Sequence, residues 1–463
     1  MKKTVVINVV GLSSRLIGKH TPFLDKWLKK ATLKPIEPML PAVTCSVQST
    51  YLTGKWPSEH GVVANGWYFK DEHEIKFWRQ SNTLVQADKL WDELKAQDTS
   101  FTCANLFWWY NMYSNANYAV TPRPNYLADG RKLPDIYSEP ADLRDELQEK
   151  LGTFPLFDFW GPKTSIKSSQ WIADCAFITD QRYNPTLTLI YLPHLDYNLQ
   201  RYGLDMSIIK KDLREIDNVL QQVIEYYEKQ NTEVVILSEY GITDVSRPVH
   251  LNRVLREQGF LSVREERGLE LLDAGVSAAF AVADHQMAHI YVNEPDQIEA
   301  VKALIEKVPG VAQVLQGDSI KNAHLDHERS GDLIAIADKD SWFTYYFWLD
   351  DSKAPDYARM VDIHRKPGYD PVEMHLDPEI SMLPVKIIWK LLKKKAGFRT
   401  VMDVIPLDAS LIKGSHGRIP EDTQDFPVFI CKHPELIPNS ILKATDVYPS
   451  LKNLITNSKG LTS

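Results

Sequence analysis

Four short runs of continuously apolar, β-branched residues constrain this chain most: Thr4 to Val10, Thr186 to Leu192, Glu233 to Leu237 and Leu333 to Ala337. Unbroken apolar strands are buried on both faces, as in a parallel sheet covered by helices, whereas a strand with one wet face alternates. Helical periodicity lies between them. From Ile208 to Lys229, the residues Ile209, Leu213, Ile216, Leu220, Val223 and Tyr227 recur at three- and four-residue spacing. The pattern predicts an α/β fold with a mostly parallel central sheet flanked by helices. Between Ala279 and Val314 a strand, a helix (Pro295 to Lys307) and a second strand predict a small α+β cap. Residues 1–463 thus read as one elaborated core, with the cap insert at 279–320.

A hydrophobic fraction of 44% and a charged fraction of 25% fit a globular protein. The net charge of -8 excludes a general nucleic-acid-binding surface, which needs clustered Lys and Arg. Cys45, Cys103, Cys175 and Cys431 form no CxxC pair, so neither a zinc ribbon nor a disulfide framework is signalled. Met1-Lys2-Lys3 opens like a signal peptide, but the apolar run ends at Gly11 and reads as a buried strand. With no stretch near the roughly 20 apolar residues of a membrane span, the expected location is cytoplasmic.

In open α/β sheets the ligand site gathers at the carboxyl ends of the strands. The densest motif is Pro41-Ala-Val-Thr44-Cys-Ser-Val-Gln-Ser-Thr-Tyr-Leu-Thr-Gly54, followed by Pro57, His60-Gly61 and Asn65. Thr44 precedes an apolar-periodic run, so it stands at a helix N-terminus, where backbone N–H groups and the dipole favour an anion. Alone it reads as an N-cap, and Asn65, before Gly66, reads as a turn residue. Together the motifs resemble the nucleotide pyrophosphatase/phosphodiesterase branch of the alkaline phosphatase superfamily. That resemblance implies Thr44 as a nucleophile attacking phosphorus and Asn65 as a holder of a phosphoryl oxygen.

It also implies two divalent metals, and here the chain departs from the pattern. Val10-Gly11 stands where the family has Asp-Gly. In His194-Leu-Asp196-Tyr-Asn-Leu-Gln200 the Asp is kept and a His is replaced by Gln200. Ser238-Glu239-Tyr240-Gly241 replaces Ser-Asp-His-Gly, and Gly414-Ser-His416-Gly417 keeps the late His. One cation rather than two is expected, zinc first and manganese or magnesium as alternatives, on Asp196, Glu239 and His416. Asp362-Ile-His364 places two further ligands on one face of a strand, with Arg365-Lys366 beside them to neutralise phosphate. Asp284-His285, His289 and Asp326-His327 are further candidates, but His285 and His289 read as hydrogen-bonded structural histidines and stay off the site list. The aromatic stretch Phe107-Trp108-Trp109-Tyr110 reads as core packing rather than a stacking platform.

Residues 384–396 combine Val385, Ile388, Trp389 and Leu392 with Lys386, Lys390, Lys393, Lys394 and Lys395. A surface helix packing its apolar face on the core is the favoured reading, and peripheral membrane contact is the other. The expected function is hydrolysis of a small phosphate ester, with a lipid or isoprenoid phosphate among the candidates. The alternative is a pseudoenzyme that keeps the phosphate cradle as a binding or assembly protein.

Overall fold

The computed structural model describes residues 1–129 and 131–457. Its central sheet has nine strands: β1 (Thr4–Val9), β2 (Thr32–Glu37), β3 (Cys103–Leu106), β4 (Tyr118–Pro122), β5 (Ile136–Glu139), β6 (Leu187–Leu192), β7 (Glu233–Leu237), β8 (Val428–Cys431) and β9 (Leu442–Lys443). They lie in the order β9-β2-β8-β7-β1-β6-β3-β4-β5. The middle five, β7-β1-β6-β3-β4, are mutually parallel, in register from Thr4 against Leu187 and Glu233. β8 runs antiparallel between β2 and β7, and β5 runs antiparallel at the far edge. Every residue of β1, β6 and β7 is buried, as strands covered on both faces must be.

The helices include α1 (Thr44–Thr53), α2 (His194–Tyr202), α3 (Met206–Glu228) and α4 (Leu383–Lys395). α3 matches the periodicity found in the sequence, with Ile209, Leu213, Ile216, Leu220 and Val223 buried in the main core. A second core lies under a four-stranded antiparallel sheet of Ala279–Asp284, Met287–Val292, Leu333–Ala337 and Val311–Leu315. Leu333–Ala337 therefore pairs antiparallel in this second sheet, not parallel in the central one. Burial on both faces writes the same unbroken apolar run in either place. No helix among the described residues is long and apolar enough to cross a membrane.

Candidate active site

The loops after β3, β6 and β7 converge at one end of the sheet, the position that parallel topology reserves for a ligand. They border a cavity of about 1230 Å³ lined by Thr44, Trp78, Trp109, Tyr191, Asp196, Tyr240, His285 and Tyr369, among others. Thr44 is the first residue of α1 and Val43, in extended conformation, is its N-cap, so the Thr44 hydroxyl is not spent on capping. That hydroxyl lies 3.1 Å from Tyr240 Oη, and Tyr240 donates onward to Asp196 Oδ1 at 3.2 Å. Because the phenol gives its hydrogen to Asp196, it is the acceptor for Thr44. Asp196 Oδ2 accepts from Gln200 Nε2 at 2.7 Å, and Gln200 Oε1 accepts from Tyr369 at 2.9 Å. Burial pushes the Asp196 carboxyl up to about 7 against the lowering effect of the bonds from Tyr240 and Gln200.

Asn65 stands behind the helix start. Its Oδ1 accepts the Cys45 N–H at 2.9 Å, while its backbone N and Nδ2 donate to Asp284 at 2.8 and 3.1 Å. It is not among the residues lining the cavity. Glu239 is buried, and Asn8 and Gln48 donate to its Oε1 at 2.6 and 2.5 Å. Its burial raises the carboxyl to about 8.

His416 donates from Nδ1 to Ala42 O at 2.7 Å, and His285 Nδ1 lies 2.7 Å from Asp284 Oδ1. Burial holds both imidazoles well below their ordinary range, hence neutral. With each Nδ1 carrying the proton, each Nε2 offers a lone pair, and both Nε2 atoms are buried without a partner. The rings of Tyr240, His416, His285 and Tyr369 form one column at centroid spacings of 3.5, 3.7 and 3.7 Å.

His285, which reads as structural from the sequence, belongs to this site. It sits at the two-residue turn between Ala279–Asp284 and Met287–Val292 with φ of 61°, a region where His is uncommon. Gly417 lets this turn approach, since a Cβ there would lie 3.0 Å from Gln286 N. The readable signal is a tight turn occupied by His-Gln where Asn-Gly is the usual choice.

Asp362 and His364 line the cavity, but residues 361–370 form no strand, so the shared strand face does not exist. Glu373 Oε1 accepts the Asp362 N–H at 2.8 Å and shapes the segment as a loop. Lys366 is buried between Asp370 and Glu373, 2.7 Å from each, and cannot meet a phosphate. Arg365 reaches the cavity wall. His289 is structural as expected, bonded to Val63 O and Gly331 N at 3.1 Å each. Asp326-His327 lies apart, His327 Nε2 meeting Gln86 Oε1 at 2.7 Å. Phe107, Trp108 and Tyr110 are core, whereas Trp109 turns to the cavity.

Val10 offers no donor and the Tyr240 phenol stands between Thr44 and Asp196. Glu239 gives Oε1 to two amides and leaves Oε2 buried without a partner. Asp196 Oδ1 lies 4.0 Å from the unpartnered Nε2 of His416, with His285 beside it, so these side chains suit a cation. Among the described residues the one trio whose ligand atoms already lie within 4.8 Å of one another is elsewhere: His194, Asp212 and Glu215, joining α2 to α3.

The site thus joins a helix-borne threonine at the end of a parallel sheet, an aspartate after a neighbouring strand and a late histidine. Solved structures agree on the fold. Murine ectonucleotide pyrophosphatase/phosphodiesterase 5 superposes with a TM-score of 0.56 at 14% identity, covering 98% of this chain and 95% of that one. Phosphonoacetate hydrolase from Sinorhizobium meliloti, in complex with phosphonoformate, gives 0.60 at 12% identity, covering 98% and 96%. Residues 4–370 match the type I phosphodiesterase/nucleotide pyrophosphatase family, and the chain belongs to it. Ectonucleotide pyrophosphatase/phosphodiesterase 2 of Saccharomyces cerevisiae is 25% identical over 264 residues, 52% of this chain and 48% of that protein. The chain thus spans about half the length of that relative.

Proposed function

We propose that the protein hydrolyses a phosphoric ester, with Thr44 as nucleophile and an atypical site for a single cation. The observation that carries this reading is the line Thr44 Oγ1, Tyr240 Oη, Asp196 Oδ1 at the cavity wall. Thr44 Oγ1 attacks phosphorus as its proton passes to Tyr240 Oη and the phenol's own proton passes to Asp196 Oδ1. The bond to the leaving oxygen breaks with its electron pair, giving a phosphothreonine. Water then attacks the same phosphorus, one of its hydrogens staying on the phosphate and the other neutralising the departed alkoxide, while Thr44 Oγ1 leaves and the line runs backward to reprotonate it. Asn65 and Asp284 fix Cys45 and so the start of α1, whose N-terminal dipole favours the phosphoryl charge. A divalent cation on Asp196, His416 and His285 would add charge stabilisation at the phosphoryl oxygens. Asp362 and His364 lie on the same cavity wall, suited to the substrate's far end or to a replacement ligand.

The cavity is large for a bare phosphate and carries Trp78, Trp109, Phe157, Phe159, Trp160 and Tyr126 on its walls, so an organic group with a broad apolar surface suits it. A lipid or isoprenoid phosphate has that character. One observation favours a second reading, a binding protein with the cradle intact: Val10 and Tyr240 stand where the family pattern has a carboxylate and an imidazole. Related protein structures include an inactive variant of the murine phosphodiesterase 5 in complex with AMP. The test is turnover of bis(p-nitrophenyl) phosphate and of an isoprenoid diphosphate, with zinc, manganese or magnesium added and Thr44→Ala as control. Turnover lost in Thr44→Ala supports the hydrolase; no turnover with any metal, and no metal in the purified protein, replaces it with the binding reading.

A further inference from the structure

α4 is built inside out. Its half-buried stripe is Leu383, Lys386, Ile387, Lys390 and Lys394, and its water-facing side carries Val385, Ile388, Trp389, Leu391 and Leu392, each 51–58% exposed. Two lysines are drawn inward because Asp403 waits there. Lys386 Nζ donates to Asp403 O at 3.0 Å, and Lys390 Nζ donates to Val401 O at 2.6 Å and pairs with the Asp403 carboxylate. With the lysines anchored on the protein side, the apolar residues have nowhere to go but outward. A helix whose apolar stripe served the core would show the reverse. Met382, Phe398 and Val401 extend the same exposed surface on either side of the helix.

This surface adjoins the mouth of the cavity. The Arg399 guanidinium, just past α4, donates to Ala128 O in the turn between the short strands Asn125–Tyr126 and Lys132–Leu133. Tyr126, Lys132 and Phe157 line the cavity, Tyr126 and Phe157 being exposed, and the exposed Leu133 follows Lys132 in the chain. The charges are placed consistently. Lys393 and Lys395 are exposed at the end of α4, with Lys393 Nζ 5.2 Å from the Trp389 ring centroid. Arg79, Arg123 and Lys132 line the cavity, with Lys76 and Arg365 beside them paired to Glu72 and Asp362, on a chain whose net charge is -8.

We propose that α4 and the adjoining cavity mouth form a docking face for the surface of an anionic phospholipid bilayer. Trp389 and its apolar neighbours enter the boundary between headgroups and acyl chains while the lysines at the end of the helix meet anionic headgroups. A second copy of the chain is a poorer occupant, because its own Lys393 to Lys395 would face like charges. Docking does not depend on the hydrolase reading, although it would present a lipid phosphate to Thr44 if that reading holds.

The experiment is flotation of the full chain with phosphatidylcholine vesicles, with and without about a third phosphatidylglycerol. Three proteins are compared: the wild type, Ile388→Ser with Leu392→Ser, and Lys393→Glu with Lys394→Glu and Lys395→Glu. Ile388, Leu392, Lys393 and Lys395 are exposed and Lys394 is half-buried, and circular dichroism checks that both variants keep the fold. The wild type floats with anionic vesicles and at least about tenfold less with neutral ones, and each variant loses about tenfold on anionic vesicles. Equal flotation of all three proteins overturns the proposal. So does no flotation of the wild type, and a wild-type dimer split by Ile388→Ser with Leu392→Ser would then assign the face to self-association. Because vesicle binding is read without turnover, failure of the hydrolase reading leaves this result standing, and the reverse.

Discussion

Tyr240 Oη lies 3.1 Å from Thr44 Oγ1 and hands its own hydrogen to Asp196, so a phenol occupies the ground between nucleophile and carboxylate. If that phenol moves the proton, Tyr240→Phe removes the path and leaves the ring stack on His416 intact. Turnover of bis(p-nitrophenyl) phosphate should fall about 10²-fold, the scale of one general acid–base group, with an unchanged melting temperature. Activity equal to the wild type would show the phenol to be a spacer.

Restoring the missing donors should restore a second cation. Val10→Asp, Gln200→His and Tyr240→His combined should raise the metal content of purified protein from at most one ion per chain to two, read by plasma mass spectrometry. Unchanged stoichiometry would mean that the local backbone, rather than the three side chains, excludes the ion.

Lys366 is buried against Asp370 and Glu373. Lys366→Met leaves two carboxylates uncompensated and should cost roughly 3–5 kcal/mol in urea unfolding. A loss below about 1 kcal/mol would show that the carboxylates are protonated or relaxed in the native protein.

Lys89 is fully enclosed, its Nζ bonded to Tyr110 O at 3.2 Å, and burial pulls its pKa down to about 7. Between pH 7 and the ordinary lysine range the unfolded chain then binds more protons than the folded one, so this residue makes stability rise with pH in that window, by at most about 1.4 kcal/mol per unit. Lys89→Met lacks the effect. The variant's stability relative to the wild type should be greatest near pH 7 and shrink toward pH 10, in parallel urea titrations; a constant difference would contradict it.

The central strands were legible because burial on both faces leaves an unbroken apolar run, and β7 appears with the limits read from sequence, Glu233–Leu237. The same signal misplaced Leu333–Ala337, since an antiparallel sheet with both faces covered writes an identical run. Thr44 and Asp196, marked in the sequence by local motifs at helix and strand ends, both line the cavity. His285 was hidden because its place depends on Gly417 and His416, more than a hundred residues away, and not on its neighbours. α4 shows a further limit: periodicity reveals two faces but not which one turns inward, and Asp403 decided that.

The position of β8 has a consequence for synthesis. Val428–Cys431 fills the gap between β2 and β7, so most of the chain must be made before the sheet can close. Until then the edges of β2 and β7 stay unpaired, and His416, only a dozen residues upstream of β8, arrives at nearly the same moment. From the synthesis of β7 until that of β8, a nascent chain therefore holds an open β7 edge and a β2 strand paired on neither side, a state that invites edge-to-edge association. Truncations ending before Val428 should aggregate rather than fold to a smaller stable core.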